Sequence, residues 1–98
     1  MIEIKITYYT GWNFNPRMSQ RRLTEITLPA YVNGMTNDNK GVKITFLDPQ
    51  FFSYGCGVTQ DSTEFALLFN NYHMAYYLDN NDQYETWSMC TPRWELLH

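Results

Sequence analysis

The sequence predicts a single α+β domain, a mostly antiparallel sheet of about five strands with one helix packed on it. Three observations predict it. Short runs alternate apolar with polar residues at period two, as half-buried strands do. Asn-, Gly- and Pro-bearing turns separate those runs. One run in the second half instead spaces its apolar residues at helical intervals.

Ile2, Ile4, Ile6 and Tyr8 alternate with Glu3, Lys5, Thr7 and Tyr9, which predicts a first strand starting almost at Met1. Thr10 to Gln20 breaks the pattern with Gly11, Asn13, Asn15 and Pro16. A second strand is expected over Arg21 to Leu28, through Arg22, Thr24, Ile26 and Leu28, with Pro29 at its end. Asn33-Gly34 and the stretch Asn37 to Gly41 read as turns. Val42, Ile44 and Phe46 predict a third strand, stopped by Asp48-Pro49. Gln50 to Gln60 is a connector holding Gly55-Cys56-Gly57.

The helix is expected over residues 62–71. Asp61 and Glu64 resemble a capping box, and Phe65, Leu68, Phe69 and Tyr72 fall on one helical face. Two strands, His73 to Asp79 and Gln83 to Cys90, then form a hairpin around Asn80-Asn81-Asp82. The competing reading continues the helix through Tyr77. The tail, Thr91 to His98, is a docked tail or a short helical turn.

Composition narrows the function. The 98 residues hold 44% hydrophobic and 17% charged side chains, which argues against intrinsic disorder. Aromatic residues make up 17%, more large rings than a core of this size can hide. Some Tyr and Trp must then lie at the surface, where they make good binding anchors. A net charge of −3 is not the basic footprint of a general nucleic-acid binder. Charge is uneven along the chain: residues 1–60 sum to +2 and residues 61–98 to −5. The absence of a signal peptide or long apolar run, and two unpaired cysteines, predict a cytoplasmic protein.

No catalytic or metal signature emerges. Cys56, Cys90, His73 and His98 contain no close pair of the kind a zinc site needs. Asp79 to Glu85 lacks the glycine of a calcium loop, because Tyr84 stands there. Cys56 is the one candidate nucleophile, but its near charges are Asp61 and Glu64, which raise a thiol pKa. The expectation is therefore a non-enzyme without metal or cofactor.

Two constellations suit binding. Trp12, Phe14, Arg17, Arg21 and Arg22 lie within eleven residues in an expected loop. Tyr77, Asp79, Asp82, Tyr84 and Glu85 form an acidic, tyrosine-bearing hairpin suited to a basic partner. In size, mild acidity, aromatic richness and lack of catalytic signature, the whole chain is similar in profile to phage-encoded anti-defence proteins, such as anti-CRISPR or antirestriction proteins. No residue roles follow from that profile. It implies a small protein-binding inhibitor or adaptor that occludes a partner's working surface, in host cytoplasm if phage-encoded. The partner would be a protein or a protein–nucleic acid complex. The alternatives are a nucleic-acid module using the aromatic–arginine loop and a small enzyme built on Cys56. Tyr-rich edges also allow a homodimer.

Overall fold

The computed structural model describes residues 1–10, 22–52, 62–84 and 92–97. These form six strands: β1 (Ile2–Thr10), β2 (Arg22–Met35), β3 (Gly41–Gln50), β4 (Ser62–Leu68), β5 (Ala75–Tyr77) and β6 (Arg93–Leu97). No helix occurs among the described residues, so the expected α+β class is corrected to all-β.

The sheet order is β5-β4-β3-β2-β1-β6, and every neighbouring pair is antiparallel. β1 to β5 form a meander, and β6 returns to pair with β1 from Glu3↔Leu97 to Thr7↔Arg93. The sheet curls into a half-barrel until its edges meet at one end. There Met74 bridges Arg93. The Ala75 N–H donates to the Pro92 carbonyl at 2.9 Å, and the Trp94 N–H donates to the His73 carbonyl at 2.8 Å.

The expected first strand is β1. Its even-numbered residues from Ile2 to Tyr8 face inward: Ile4 and Ile6 are fully buried, and Ile2 and Tyr8 pack beside them. Ala30, Ile44, Phe46, Phe65, Leu67 and Ala75 join them from the other strands, with Phe52 closing the aromatic centre. Phe65 sits 5.2 Å from Phe46, 5.4 Å from Phe52 and 4.6 Å from Tyr77, ring centre to ring centre.

The expected helix at 62–71 is strand β4 and the turn after it. Its apolar residues are consecutive because the strand is buried on both faces. Phe65 and Leu67 point into the main core, while Ala66 and Leu68 join Tyr76 and Leu78 in a second cluster outside. A doubly buried strand reads as an unbroken apolar run, which periodicity alone does not separate from a buried helix.

Other boundaries also move. Pro29, expected to end the second strand, lies inside β2, where the strand changes neighbours. Ala30 pairs with Ile2 on one side and opens the ladder with β3 at Phe46 on the other. A residue without an N–H is tolerated at such a changeover. Asn33-Gly34 is not a turn but part of a register shift between Val32 and Met35, with Gly34 at φ 107°. Asp48-Pro49 lies inside β3 where its register with β4 shifts, between Thr45 and Gln50. The turn expected at Asn37 to Gly41 does join β2 to β3. The hairpin strand expected at His73 to Asp79 shortens to β5, and the alternative helix through Tyr77 is absent. Of the two readings of the tail, docked or helical, the described part is docked, as strand β6 against β1. Among the described residues there are six strands where about five were expected, and most of the expected strand Gln83 to Cys90 lies outside them.

The β2–β3 turn is held by Thr36, which is 2% exposed. Its hydroxyl accepts the Gly41 N–H at 3.1 Å and donates to the Asp38 carboxylate at 2.7 Å. Gly41 packs so close to β4 that a Cβ there would stand 2.2 Å from the Leu67 carbonyl oxygen. Backbone, not a flexible side chain, is the obstacle. Gly41→Ala is therefore expected to destabilise the protein by about 3 kcal/mol through overpacking. A urea melt measures it, and an unchanged midpoint would contradict this packing.

Candidate binding surface

The aromatic–arginine loop lies largely outside the described residues: this holds for Trp12, Phe14, Arg17 and Arg21, and also for Cys56 and Cys90. Arg22 opens β2, its backbone paired with Thr10. Glu85 of the acidic hairpin also falls outside.

The rest of that hairpin is split between two faces. Tyr77 packs on Phe65, and its hydroxyl accepts the Phe52 N–H at 3.1 Å. Asp79, Asp82 and Tyr84 lie in a turn folded back over the outer face. The Asp79 carboxylate accepts the Asn81 and Gln83 N–H groups at 2.8 and 3.0 Å. Asp82 pairs with Lys43 at 3.3 Å. Tyr84 stacks on Tyr76 at 5.5 Å, and its hydroxyl donates to the Asp38 carboxylate. The hydrogen bond from Tyr84, then those from Thr36 and the Lys40 N–H, hold the Asp38 carboxyl down at about 2. Burial, with the Asp38 bond second, pushes the Tyr84 phenol up to about 12.

A third surface was not visible in the sequence. After β4 the chain turns through residues 69–74, and the His73 N–H donates to the Asn70 carbonyl at 3.1 Å. His73 takes φ 48° in this turn. The turn sets down beside β6. Trp94 donates its indole N–H to the Leu68 carbonyl at 2.9 Å. His73 stacks on Trp94 at 4.9 Å, and Phe69 meets it edge-on at 5.7 Å. The Arg93 guanidinium lies 5.9 Å over the Tyr72 ring. Phe69 and Tyr72 nevertheless stay 55% and 62% exposed. Both residues had been placed on a helical core stripe, which hid their exposure. The Asn70-Asn71 pair after the apolar run was the turn signal that could have revealed it.

Next to Phe69 lies a cleft of about 550 Å³ lined by Lys40, Leu68, Phe69, Asn70, Tyr76 and Tyr84. Lys5 pairs with Glu95 at 2.7 Å and Glu25 at 3.9 Å. With Lys43 held by Asp82, Lys40 and Arg93 remain without an ion pair among the described residues. Both flank Phe69: its N–H donates to the Lys40 carbonyl at 3.0 Å, and its ring touches Trp94, the neighbour of Arg93.

Among the described residues, no three His, Cys, Asp or Glu side chains are grouped to hold a metal ion, and no helix is long and apolar enough to cross a membrane. No protein family, curated protein or solved structure matches the chain.

The Asp38–Tyr84 bond makes a pH prediction. Asp38 titrates near 2 when folded and near 3.8 when free. A lowered folded pKa stabilises fully above the free value and ceases to as pH falls through the folded one. Part of the acid sensitivity between about pH 4 and about pH 2 should therefore disappear in Tyr84→Phe. Carboxyl NMR should show the Asp38 midpoint rising toward 3.8 in that variant. A midpoint unmoved from the wild type would refute the bond.

Proposed function

We propose that this chain is a non-enzymatic protein-binding domain of the cytoplasm, an inhibitor or adaptor that covers a partner's working surface. The observation behind this reading is the aromatic group around the β4–β5 turn, with Phe69 and Tyr72 more than half exposed. Rings left in water keep their hydrophobic free energy available for association. Aromatic residues and arginine are the side chains that dominate binding energy at interfaces. Here they are also held in place: Trp94 is bonded to the sheet, and Tyr72 lies under Arg93. A surface ordered before binding loses less entropy on association. The net charge of −3 favours a protein over a nucleic-acid partner. Cytoplasmic residence fits a small domain that carries two cysteines rather than a disulfide framework.

The test uses the protein as bait in a lysate, beside the double variant Phe69→Ala/Tyr72→Ala. The variant should keep its circular dichroism spectrum and melting temperature, because both rings are largely exposed. Its affinity for a partner retained by the wild type should fall by about 2 kcal/mol or more. Equal retention by the variant would refute this surface as the contact.

A further inference from the structure

The Asn33–Gly34 peptide is set apart by sequence and by structure together. Of the nine asparagines, Asn33 alone is followed by glycine. The backbone nitrogen after an asparagine can attack that asparagine's side-chain carbonyl carbon, and a side chain on the following residue hinders the approach. Glycine has no side chain to do so.

The fold leaves this pair open. Arg22 to Ala30 pair with β1, and Ala30, Tyr31, Val32 and Met35 pair with β3. Asn33 and Gly34 are the two residues of β2 without a register partner among the described residues. They bulge from the ladder between the pairs Val32↔Ile44 and Met35↔Val42. A bulge releases backbone groups from the ladder that otherwise holds a strand. Residues 31–35 are all exposed. Gly34 takes φ 107°, and beyond its chain neighbours no atom lies within 4 Å of where a Cβ would stand. The Asn33 side chain is held by an exposed hydrogen bond from Nδ2 to the Thr45 hydroxyl. Thr45 donates in turn to Glu64 at 2.6 Å. Side-chain bonds thus tie β2, β3 and β4 in a line that begins at the Asn33 amide.

We propose that Asn33 is a site of spontaneous deamidation, and that the reaction cuts this tie. The Gly34 nitrogen gives its proton to hydroxide and attacks Asn33 Cγ. The new N–Cγ bond closes a cyclic imide as the Cγ–Nδ2 bond breaks, and Nδ2 takes up a proton from water and leaves as ammonia. Water then adds to either imide carbonyl. Opening on one side gives Asp, and opening on the other gives isoaspartate, whose backbone runs through the former side chain. The net change consumes water and releases ammonia, with nothing oxidised or reduced. Either product loses the Nδ2 donor and sets a carboxylate beside the Thr45 oxygen, whose proton already goes to Glu64. Like charges then crowd a single hydroxyl. Isoaspartate also lengthens the backbone by a methylene where β2 and β3 already shift register.

The test incubates the full chain at neutral and mildly alkaline pH and fragments its tryptic peptide Leu23–Lys40 in a mass spectrometer. That peptide carries Asn37 and Asn39, followed by Asp38 and Lys40, as internal controls. Asn33 should convert first, yield isoaspartate and react faster as pH rises. Asn33→Gln, whose longer side chain must close a larger ring, should stay unmodified. The native chain should convert at a rate like that of the chain in urea. A native rate lower by about tenfold or more would mean that the fold protects the site, and would overturn the proposal. Conversion of Asn37 or Asn39 before Asn33 would overturn it as well. Asn33→Asp, made directly, should lower the urea midpoint at neutral pH, and adding Glu64→Gln should recover part of the loss. A midpoint equal to the wild type would sink the severed tie.

Discussion

Phe65 touches Phe46, Phe52 and Tyr77 on the inner side of β4, while its neighbour Ala66 lies under Tyr76 and Leu78 on the outer side. Burial of this strand on both faces is the constraint on which the rest depends. A small sheet with water on its outer face would have one core and an ordinary polar exterior. Here the outer side of β4 needs a cover, and the turn at 79–84 supplies it through Leu78 and Tyr84. Removing the Phe65 ring would cost about 3–5 kcal/mol, as large aromatic truncations in cores do. Its three ring partners come from β3, the segment after β3, and β5, so the loss would reach across the sheet.

The same strand positions the binding surface. Leu68, the last residue of β4, faces the outer cluster and offers its carbonyl to the Trp94 indole. That bond joins the end of β4 to β6, where the two sheet edges meet through Met74 and Arg93. The turn between β4 and β5 must then pass over this junction, and its rings have Trp94 to lean on but no sheet above them. Phe69 and Tyr72 remain exposed because the fold closes beneath them. The cleft follows from the same arrangement, with Leu68, Phe69 and the outer tyrosines Tyr76 and Tyr84 among its lining.

Legibility in the sequence follows burial. β1 is inward on one side only, and its alternation of Ile with polar residues placed it correctly. The turn at 37–41 was legible because Asn37, Asp38, Asn39 and Gly41 favour turns for local backbone reasons. β4 was misread because burial on two faces erases alternation and leaves a run that a helix also produces. Pro29 and Pro49 were read as strand ends and Asn33-Gly34 as a turn, since a proline or glycine signals a break locally. Their tolerance inside strands depends on neighbours distant in sequence, which no local pattern encodes. The surface at Phe69, Tyr72 and Trp94 was missed for a related reason: residues 69 and 94 meet only because β6 returns to the far edge. The hairpin tyrosines Tyr77 and Tyr84 were grouped by proximity in sequence, yet Tyr77 packs on the main core and Tyr84 on the outer cluster.

The charge asymmetry along the chain resolves in a specific way. The basic first part and acidic second part interleave, so Lys5 meets Glu95 and Lys43 meets Asp82. The hydrogen bond from Lys5 holds the Glu95 carboxyl below the usual range, and the same contact raises the Lys5 ammonium. Both pairs are partly exposed, and such pairs contribute modestly to stability. Asp82 neutralises Lys43, and Asp38 is engaged by the Tyr84 hydroxyl although it lies two residues from Lys40. Asp38 stays ionised under those hydrogen bonds, and the Lys40 charge also helps to hold its carboxyl down. The folded-back turn that covers β4 therefore does two things at once. It completes the outer core, and it engages the Asp38 carboxylate through the Tyr84 hydroxyl and Lys43 through Asp82.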